Sequence, residues 1–402
     1  MQAEFLASVT AIPATTADTR AASRALPWHC KVVLLGAVSI IIGILWDISW
    51  HRTIGRDTFW TPAHLAIHLG GFLGGLTSGW LVLRTTFGGT PAEKGAAVRL
   101  WGLHGPLGAW VSIWGAIAML TSAPFDDWWH NAYGLDVKIL SPPHMVLAVG
   151  MWAIVLGALL LILREQNLAP VASEAPGRRL YLLAAGILLA MGATVLIEES
   201  WPNHQHSALF YKLSALTYPA YLLGFARASR FRWAATIMGA IYMGIFLAML
   251  WILPLFPGEP KLGPVYNRVD HFVPLAFPLL LVAPGFVIDC LRHRIGEGQG
   301  WRRDLFLIGS VALAFVVVFG LAQWMFSSFM LTEYAENWFF AADRHWAYSE
   351  NVGEWRNRFW QPLTWEMGWA VLVRHAAVTL GLAGFSAWIG LCLGNWMARV
   401  KR

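Results

Sequence analysis

Residues 32–83 read VVLLGAVSIIIGILWDISWHRTIGRDTFWTPAHLAIHLGGFLGGLTSGWLVL, and this stretch decides the fold. Two long apolar runs flank a short polar link that is rich in Trp, His and Asp. An α-helix needs about 20 mostly apolar residues to cross a bilayer, so each run predicts a membrane-spanning helix. The pair predicts a helix hairpin whose link lies at one membrane surface.

The composition of the whole chain is typical of a membrane protein. Its 402 residues are 57% hydrophobic and 13% charged, with 24 Trp and 22 Phe. A soluble chain is about a quarter charged, and a disordered chain has few aromatic residues. Both classes are therefore excluded. The cysteines at positions 30, 290 and 392 are too widely spaced to indicate a disulfide framework or a zinc clip.

Apolar segments recur along the rest of the chain. They predict an all-α fold, a polytopic transmembrane helical bundle of about ten spans built from repeated helix hairpins. The predicted spans are 31–50, 61–84, 104–123, 141–164, 179–198, 207–226, 231–253, 267–291, 303–330 and 368–397. The sixth and eighth carry prolines and polar residues, which makes their hydropathy signal the weakest.

Basic residues cluster after every second predicted span, and this pattern predicts the orientation. Short loops rich in Lys and Arg stay in the cytoplasm. We therefore expect an integral protein of the cytoplasmic membrane with both termini in the cytoplasm. The links rich in Trp, Asp and His are then on the outer side. The net charge of +6 is explained by these loops, so the expected surroundings are membrane lipid and no nucleic acid is needed.

The predicted spans divide the chain into four parts. Residues 1–27 predict a cytoplasmic N-terminal tail, and residues 28–165 predict two helix hairpins that carry polar motifs. Residues 166–300 predict two hairpins in which these motifs are degenerate. Residues 301–402 predict two further spans with an outer Trp-rich loop at 331–367.

The first two outer links are copies of one another. They read WDISWHRTIGRDTFWTPAHLAIHLGG (46–71) and FDDWWHNAYGLDVKILSPPHMVLAVG (125–150). Each copy contains one Asp followed by two His, in the patterns Asp-x3-His-x12-His and Asp-x3-His-x13-His. The matched positions are Asp47, His51 and His64 in the first copy and Asp126, His130 and His144 in the second. Such self-similarity predicts duplicated helix hairpins.

The spacing of these residues predicts that each set converges. Residues four apart share one helix face, which places Asp47 beside His51. Pro62 suits the first turn of the next helix, with His64 just inside it. Imidazole and carboxylate groups are ligands for copper, zinc or iron, and three ligands leave a position open for water or substrate. The alternative is a hydrogen-bonded polar cluster without a metal.

Several other polar residues are candidates around the two sets. His68 lies one helical turn beyond His64, as a fourth ligand or as a hydrogen-bond partner. Asp127 and Asp136 are alternative carboxylates for the second set.

The later hairpins carry histidines that are out of register with this pattern. His204 and His206 could still lend a ligand to a metal. For His271, which stands beside Asp270, we expect a structural role.

The paired triads resemble those of the copper-bearing C subunit of particulate methane and ammonia monooxygenases, over about residues 30–165. In that family an Asp and two His bind copper at one site, and an Asn and two His can occupy another. The resemblance implies that Asp47, His51 and His64 bind copper, with zinc or iron as alternatives. It implies a second site at His130 and His144, with Asp126 in place of the Asn.

The same resemblance implies a membrane monooxygenase subunit that activates dioxygen to oxidise a small apolar or ammonia-like substrate. Further monooxygenase-type subunits, or copies of this chain, are the implied protein partners. Trp46, Trp50 and Trp60 would form an apolar wall at the open metal position. The chain departs from the family in having several additional spans and no cupredoxin-like domain.

The sequence leaves two other functional interpretations open, and it does not decide whether the chain is an enzyme. A copper or zinc transporter, or a metal-delivery protein without redox turnover, would use the same outer clusters. A haem protein with paired axial histidines ranks third, since haem does not need the neighbouring Asp.

Overall fold

The computed structural model describes residues 25–55, 58, 60–134, 141–169, 177–296, 300–341 and 368–402. The helices in these ranges are α1 (Trp28–Thr53), α2 (Pro62–Gly88), α3 (Pro91–Gly95), α4 (Leu107–Tyr133), α5 (Pro142–Leu168), α6 (Arg178–Val195), α7 (Ala208–Ala228), α8 (Ala234–Ile252), α9 (Val282–Ile295), α10 (Trp301–Met330) and α11 (Trp369–Met397). The strands β1 (Val98–Leu100) and β2 (Leu103–Gly105) form one antiparallel pair. Most of the predicted N-terminal tail, and the part of the predicted outer loop beyond residue 341, lie outside the described residues.

Eight of these helices are long and apolar enough to cross a membrane. They are α1, α2, α4, α5, α6, α8 with its 3-10 extension to Leu255, α10 and α11. Each coincides with one of the ten predicted spans. The prediction of an all-α helical bundle is therefore confirmed, and the apolar helices identify the chain as an integral membrane protein by length and composition.

The sixth predicted span forms a helix of a more polar kind. This helix is α7, whose tyrosines and Lys212 keep it out of the apolar group. Tyr218 is fully buried, and α7 packs against α11 along most of its length. It is thus a helix enclosed by other helices.

The eighth predicted span, 267–291, is wrong as a continuous helix. The helix α9 begins only at Val282, and residues 272–280 before it are extended. Pro274 and Pro278 explain the difference, because proline lacks the backbone N–H and its ring clashes with the preceding helical turn. Non-helical backbone at membrane depth is tolerated where it is buried in protein, and Leu275 and Leu279 are buried here.

Side chains from three helices satisfy the backbone of this extended segment. The Ser49 hydroxyl of α1 donates to the Val273 carbonyl at 2.6 Å, and the Val273 N–H donates to Thr53 Oγ1 at 2.8 Å. Farther along, the Leu279 N–H donates to the Tyr242 hydroxyl of α8 at 2.9 Å. The Leu280 N–H donates to Gln323 Oε1 of α10 at 2.9 Å. The end of α1 is therefore tied to a segment more than 200 residues away.

The first two predicted hairpins pack through equivalent glycines. A Cβ at Gly70 of α2 would lie 2.5 Å from the carbonyl oxygen of Gly36 in α1. A Cβ at Gly150 of α5 would lie 2.7 Å from the carbonyl oxygen of Gly115 in α4. Gly36 and Gly115 both lie 11 residues before the aspartate of their copy, so the sequence repeat is also a repeat of helix packing.

The later helices do not repeat this arrangement. Helix α6 packs mainly on α8 and α5, whereas α7 packs mainly on α11. The close approach of α7 and α11 occurs at Gly224 and Gly390. The third predicted hairpin is thus not a copy of the first two in its packing.

The link between α2 and α4 is compact and places the two hairpins side by side. The Thr86 hydroxyl at the end of α2 accepts from the His104 N–H in β2 at 2.8 Å. Helix α2 then packs directly on α4. Because α1, α2, α4 and α5 alternate in direction, the ends of α1 and α4 that carry Asp47 and Asp126 lie at the same end of the bundle.

Candidate metal centre

The first candidate site lies where α1 ends and α2 begins. It consists of Asp47, His51 and His64, which we call the first triad. His51 follows Asp47 by one helical turn, and its Nε2 lies 3.8 Å from Asp47 Oδ2. His64 lies in the first turn of α2, and its Nε2 lies 3.2 Å from Asp47 Oδ1. One ligand atom from each of the three residues lies within 4.8 Å of the other two. The structure thus brings together all three residues that the sequence grouped.

A backbone carbonyl fixes the orientation of the His64 ring. His64 Nδ1 lies 2.9 Å from the Thr58 carbonyl oxygen. A carbonyl can only accept, so Nδ1 carries the proton and donates. In the neutral imidazole, Nε2 then carries a lone pair and can only accept a hydrogen bond. It faces an oxygen of the Asp47 carboxylate, which is also only an acceptor.

Two facing acceptors repel unless a cation lies between them or the ring takes a second proton. Asp47 Oδ1 is buried and accepts no hydrogen bond within the described residues. Two ligands of one zinc or copper ion, each about 2.0–2.2 Å from it, lie roughly 3–3.5 Å apart. The 3.2 Å between His64 and Asp47 fits a shared ion. The donor set of two imidazoles and one carboxylate therefore fits a transition metal.

The second candidate site repeats this arrangement between α4 and α5. It consists of Asp126, His130 and His144, which we call the second triad. His130 Nε2 lies 3.4 Å from Asp126 Oδ2, and His144 Nε2 lies 3.7 Å from Asp126 Oδ1. His130 Nδ1 lies 3.1 Å from the Gly134 carbonyl oxygen, to which it donates. Asp126 Oδ1 is buried without a hydrogen bond among the described residues. Within the described ranges, however, only the first triad brings three ligand atoms within 4.8 Å.

A glycine ends the helix one turn after the first histidine in both copies. Gly55 follows His51 by four residues, and Gly134 follows His130 by four. Both adopt positive φ, 79° and 87°, which favours glycine at the end of a helix. In the second copy this helix end directs the Gly134 carbonyl toward the His130 ring. This His-x3-Gly repeat was the sequence signal that could have predicted how the helices end at the two sites.

The surroundings of the first triad are partly apolar. The Trp50 ring lies 5.7 Å from the Phe272 ring, next to the extended segment. Arg52 lies over the Trp201 ring at 3.7 Å, which fixes the link before α7 against the end of α1. Trp60 is 72% exposed, whereas Trp46 is partly buried and packs against the core. The apolar wall at the open metal position stays a prediction.

The additional candidates near the two triads have different positions. The His68 ring lies 6.4 Å from the His64 ring, one turn deeper in α2, and both of its expected roles stay open. Asp127 accepts from the Asn131 side chain at 3.3 Å. Asp136 lies outside the described residues.

The link before α7 (residues 196–207) carries two histidines that belong to a different polar cluster. His206 is fully buried, and its Nε2 lies 2.9 Å from the Ser328 hydroxyl. The neighbouring Gln205 accepts from Gln323 Nε2 at 2.6 Å. His204 lies 3.7 Å from Glu199. These contacts join the link to α10, and the sequence pattern gave no sign of Gln323.

His271 directly precedes the extended segment and makes structural contacts. Its Nδ1 donates to the Phe272 carbonyl at 3.1 Å, and its ring lies 5.0 Å from the Trp338 ring. These contacts agree with the structural role expected for it.

Comparison of the chain with protein-family models, with curated proteins and with solved structures gives no significant match.

Proposed function

We propose that the protein is a membrane metalloprotein that binds a transition-metal ion at the first triad. The observation that carries this proposal is the geometry of His64. Its Nδ1 donates to a backbone carbonyl, and its Nε2 lies 3.2 Å from a carboxylate oxygen that accepts no hydrogen bond among the described residues. Metal-ligating histidines almost always donate their other ring N–H in this way.

Copper is the metal we propose, with zinc or iron as alternatives. Imidazole nitrogen suits all three ions, and divalent copper binds most tightly in the first-row series. Both triads offer two imidazoles and one carboxylate. The three cysteines lie at other positions, so thiolate ligation does not favour a structural zinc site here.

The residues of the first triad would have distinct roles in an oxidation reaction. Asp47 neutralises positive charge, and Thr58 holds His64 in its metal-binding tautomer. His51 has 45% of its side chain exposed, which leaves one side of the site open to a small molecule. Bound copper supplies one-electron chemistry with dioxygen, as in the copper membrane monooxygenases that the triads resemble.

The remainder of this proposal follows from that resemblance and from the charge pattern. The substrate is a small apolar or ammonia-like molecule. Further monooxygenase-type subunits, or copies of this chain, complete the enzyme. The triads face the outer side of the cytoplasmic membrane, and both termini lie in the cytoplasm. The second triad binds a second ion by the same donors.

Metal capture and delivery without redox turnover is the second candidate function. The exposure of His51 favours it, because an exposed ligand lets an ion exchange readily with solution. Transport across the membrane through these four helices is disfavoured. The stretches 32–46, 69–83, 107–125 and 145–163 contain no Asp, Glu, His, Lys or Arg, so no ionisable path continues below the triads.

Metal analysis of the purified protein with Cu(II), combined with electron paramagnetic resonance, tests the proposal. We expect about two copper ions per chain and a Cu(II) signal with nitrogen coupling. His64→Ala and His144→Ala should each lose about one ion. His104→Ala, at the opposite end of the bundle, is the matched control and should lose none.

Equal copper content in all three variants would reject both ligand sets. Oxygen consumption in the presence of a reductant then separates the two functions. A monooxygenase subunit consumes oxygen and loses this activity in His64→Ala. A delivery protein instead passes its copper to a soluble chelator without consuming oxygen.

A further inference from the structure

A groove opens between α9 and α10 at the end of the bundle opposite the two triads. Its volume is about 590 Å³. Helix α10 runs from this groove to Ser327 and Ser328, which contact His206 near the triad end of the bundle. The groove is therefore separated from the metal centres by the length of a membrane-spanning helix.

Three arginines line this groove. Arg294 comes from the last turn of α9, and Arg302 and Arg303 come from the first turn of α10. All three are exposed. Among the described residues none of them forms an ion pair with an acidic side chain, although Asp304 follows directly on α10. The groove therefore carries a concentrated positive charge.

The N-terminus of α10 adds to the attraction for an anion. The first N–H groups of a helix have no partner inside the helix, and the helix dipole is positive at this end. Helix α10 begins at Trp301, with Gly300 before it. Arg302 and Arg303 thus surround a helix end that already favours a negatively charged group such as a phosphate.

Apolar side chains from both helices also line the groove and continue along the bundle. Leu291, Ile295 and Phe306 line the groove beside the arginines. On α10 the apolar face goes on to Leu313 and Val317, which are 56% and 46% exposed. A ligand that fits both the arginines and the apolar residues has an anionic head and an apolar tail.

The length of α10 places the arginines at the level of the lipid headgroups. Its 30 residues span about 45 Å at 1.5 Å per residue, whereas the hydrocarbon core of a bilayer is about 30 Å thick. The terminal turns therefore extend into the headgroup layers. Basic pockets between membrane helices at this depth bind acidic lipid headgroups.

We infer that the groove between α9 and α10 binds an anionic phospholipid, with its phosphate on Arg294, Arg302 and Arg303 and an acyl chain along Phe306 and Leu313. The site is independent of the triads and of their metal.

Native mass spectrometry of the full-length protein, purified in detergent and incubated with phosphatidylglycerol, tests this inference. A parallel sample is incubated with phosphatidylcholine. We expect at least one phosphatidylglycerol to stay bound under conditions that remove phosphatidylcholine. Each arginine near a lipid headgroup contributes about fivefold in affinity. The variant R294Q/R302Q/R303Q should therefore lose the retained lipid.

The matched control is R399Q/K401Q/R402Q, which removes the same charge from exposed residues outside the groove. It should retain phosphatidylglycerol. Phe306→Ala should lower retention without a change in charge. If the triple variant is poorly folded by circular dichroism, R303Q alone decides, with an expected loss of about fivefold.

Equal retention in the groove variant and the control variant would overturn the inference, and so would equal retention of phosphatidylcholine. Displacement of the lipid by millimolar inorganic phosphate would show that the arginines bind a free anion instead, and would also overturn it. Copper content should stay unchanged in R294Q/R302Q/R303Q.

Discussion

In the first hairpin a backbone carbonyl holds His64 on α2, and in the second hairpin a backbone carbonyl holds His130 on α4. The carboxylate nevertheless lies between two imidazoles in both copies. Its distances to them are 3.2 and 3.8 Å in the first triad and 3.4 and 3.7 Å in the second. The repeat thus preserves the set of donor atoms and their order around the carboxylate.

The two triads also differ in what supports the helix that carries the aspartate. In α1, the hydroxyls of Ser49 and Thr53 form hydrogen bonds with the backbone of Val273 in the extended segment. The equivalent positions in α4 are Trp128 and Ala132, which have no hydroxyl to make these bonds. The first triad is supported by a distant part of the chain through two bonds that the residues at the equivalent positions of α4 cannot make. We expect the first site to be the more rigid and to bind metal more tightly.

The largest effect should come from removing the carboxylate of one triad. Asp47→Ala should lower the copper affinity of the first site by more than about a hundredfold, since loss of an outer-shell partner alone costs 10–100-fold. The second site should be unaffected. Asp126→Ala should give the converse result in an isothermal titration with Cu(II). Asp127→Ala is the matched control, because this neighbouring carboxylate bonds Asn131.

A smaller effect is expected from closing the glycine contacts. Gly70→Ala and Gly150→Ala place a Cβ 2.5 and 2.7 Å from a carbonyl oxygen of the partner helix. The helices must separate, and we expect the free energy of unfolding to fall by about 1–3 kcal/mol in each case. Thermal unfolding in detergent measures this.

Gly79→Ala in the same helix as Gly70 is the control, since a Cβ there meets nothing within 4 Å. It should leave stability unchanged or raise it slightly. Equal stability of all three variants would contradict the close approach of the hairpin helices.

The smallest effect should come from cutting one bond between α1 and the extended segment. Ser49→Ala removes the hydrogen bond to the Val273 carbonyl and should lower the free energy of unfolding by about 1 kcal/mol. It should weaken copper binding at the first triad only. Ser122→Ala, whose hydroxyl donates within its own helix to Met119, is the comparison variant. A loss of affinity at the second triad in Ser49→Ala would show that the two sites do not differ in support.

The sequence was sufficient for the features that depend on hydropathy and spacing. Long apolar runs predicted the eight apolar helices, and the Asp-x3-His pattern placed each triad at a helix end because residues four apart share a face. The matched Gly70 and Gly150 also reflect one repeated packing contact. These features are local, or are repeated within one pair of helices.

The features that the sequence did not predict depend on distant contacts or on side-chain orientation. The prolines at 274 and 278 weaken a helix, but no local pattern shows that hydroxyls of α1 will bond the extended backbone. Hydropathy alone therefore favoured a span over 267–291. Likewise, the spacing of His64 does not reveal that its Nδ1 donates to Thr58, because a ring can adopt several rotamers at one backbone position.

The extended segment has a consequence for biosynthesis. The chain is made from the N-terminus, so both triads are synthesised long before Val273 leaves the ribosome. A truncated protein that ends after α5 would contain all six donor residues, yet the last turn of α1 would lack its bonds to Val273. The last turn of α1 therefore acquires these two bonds only after the second half of the chain has been made.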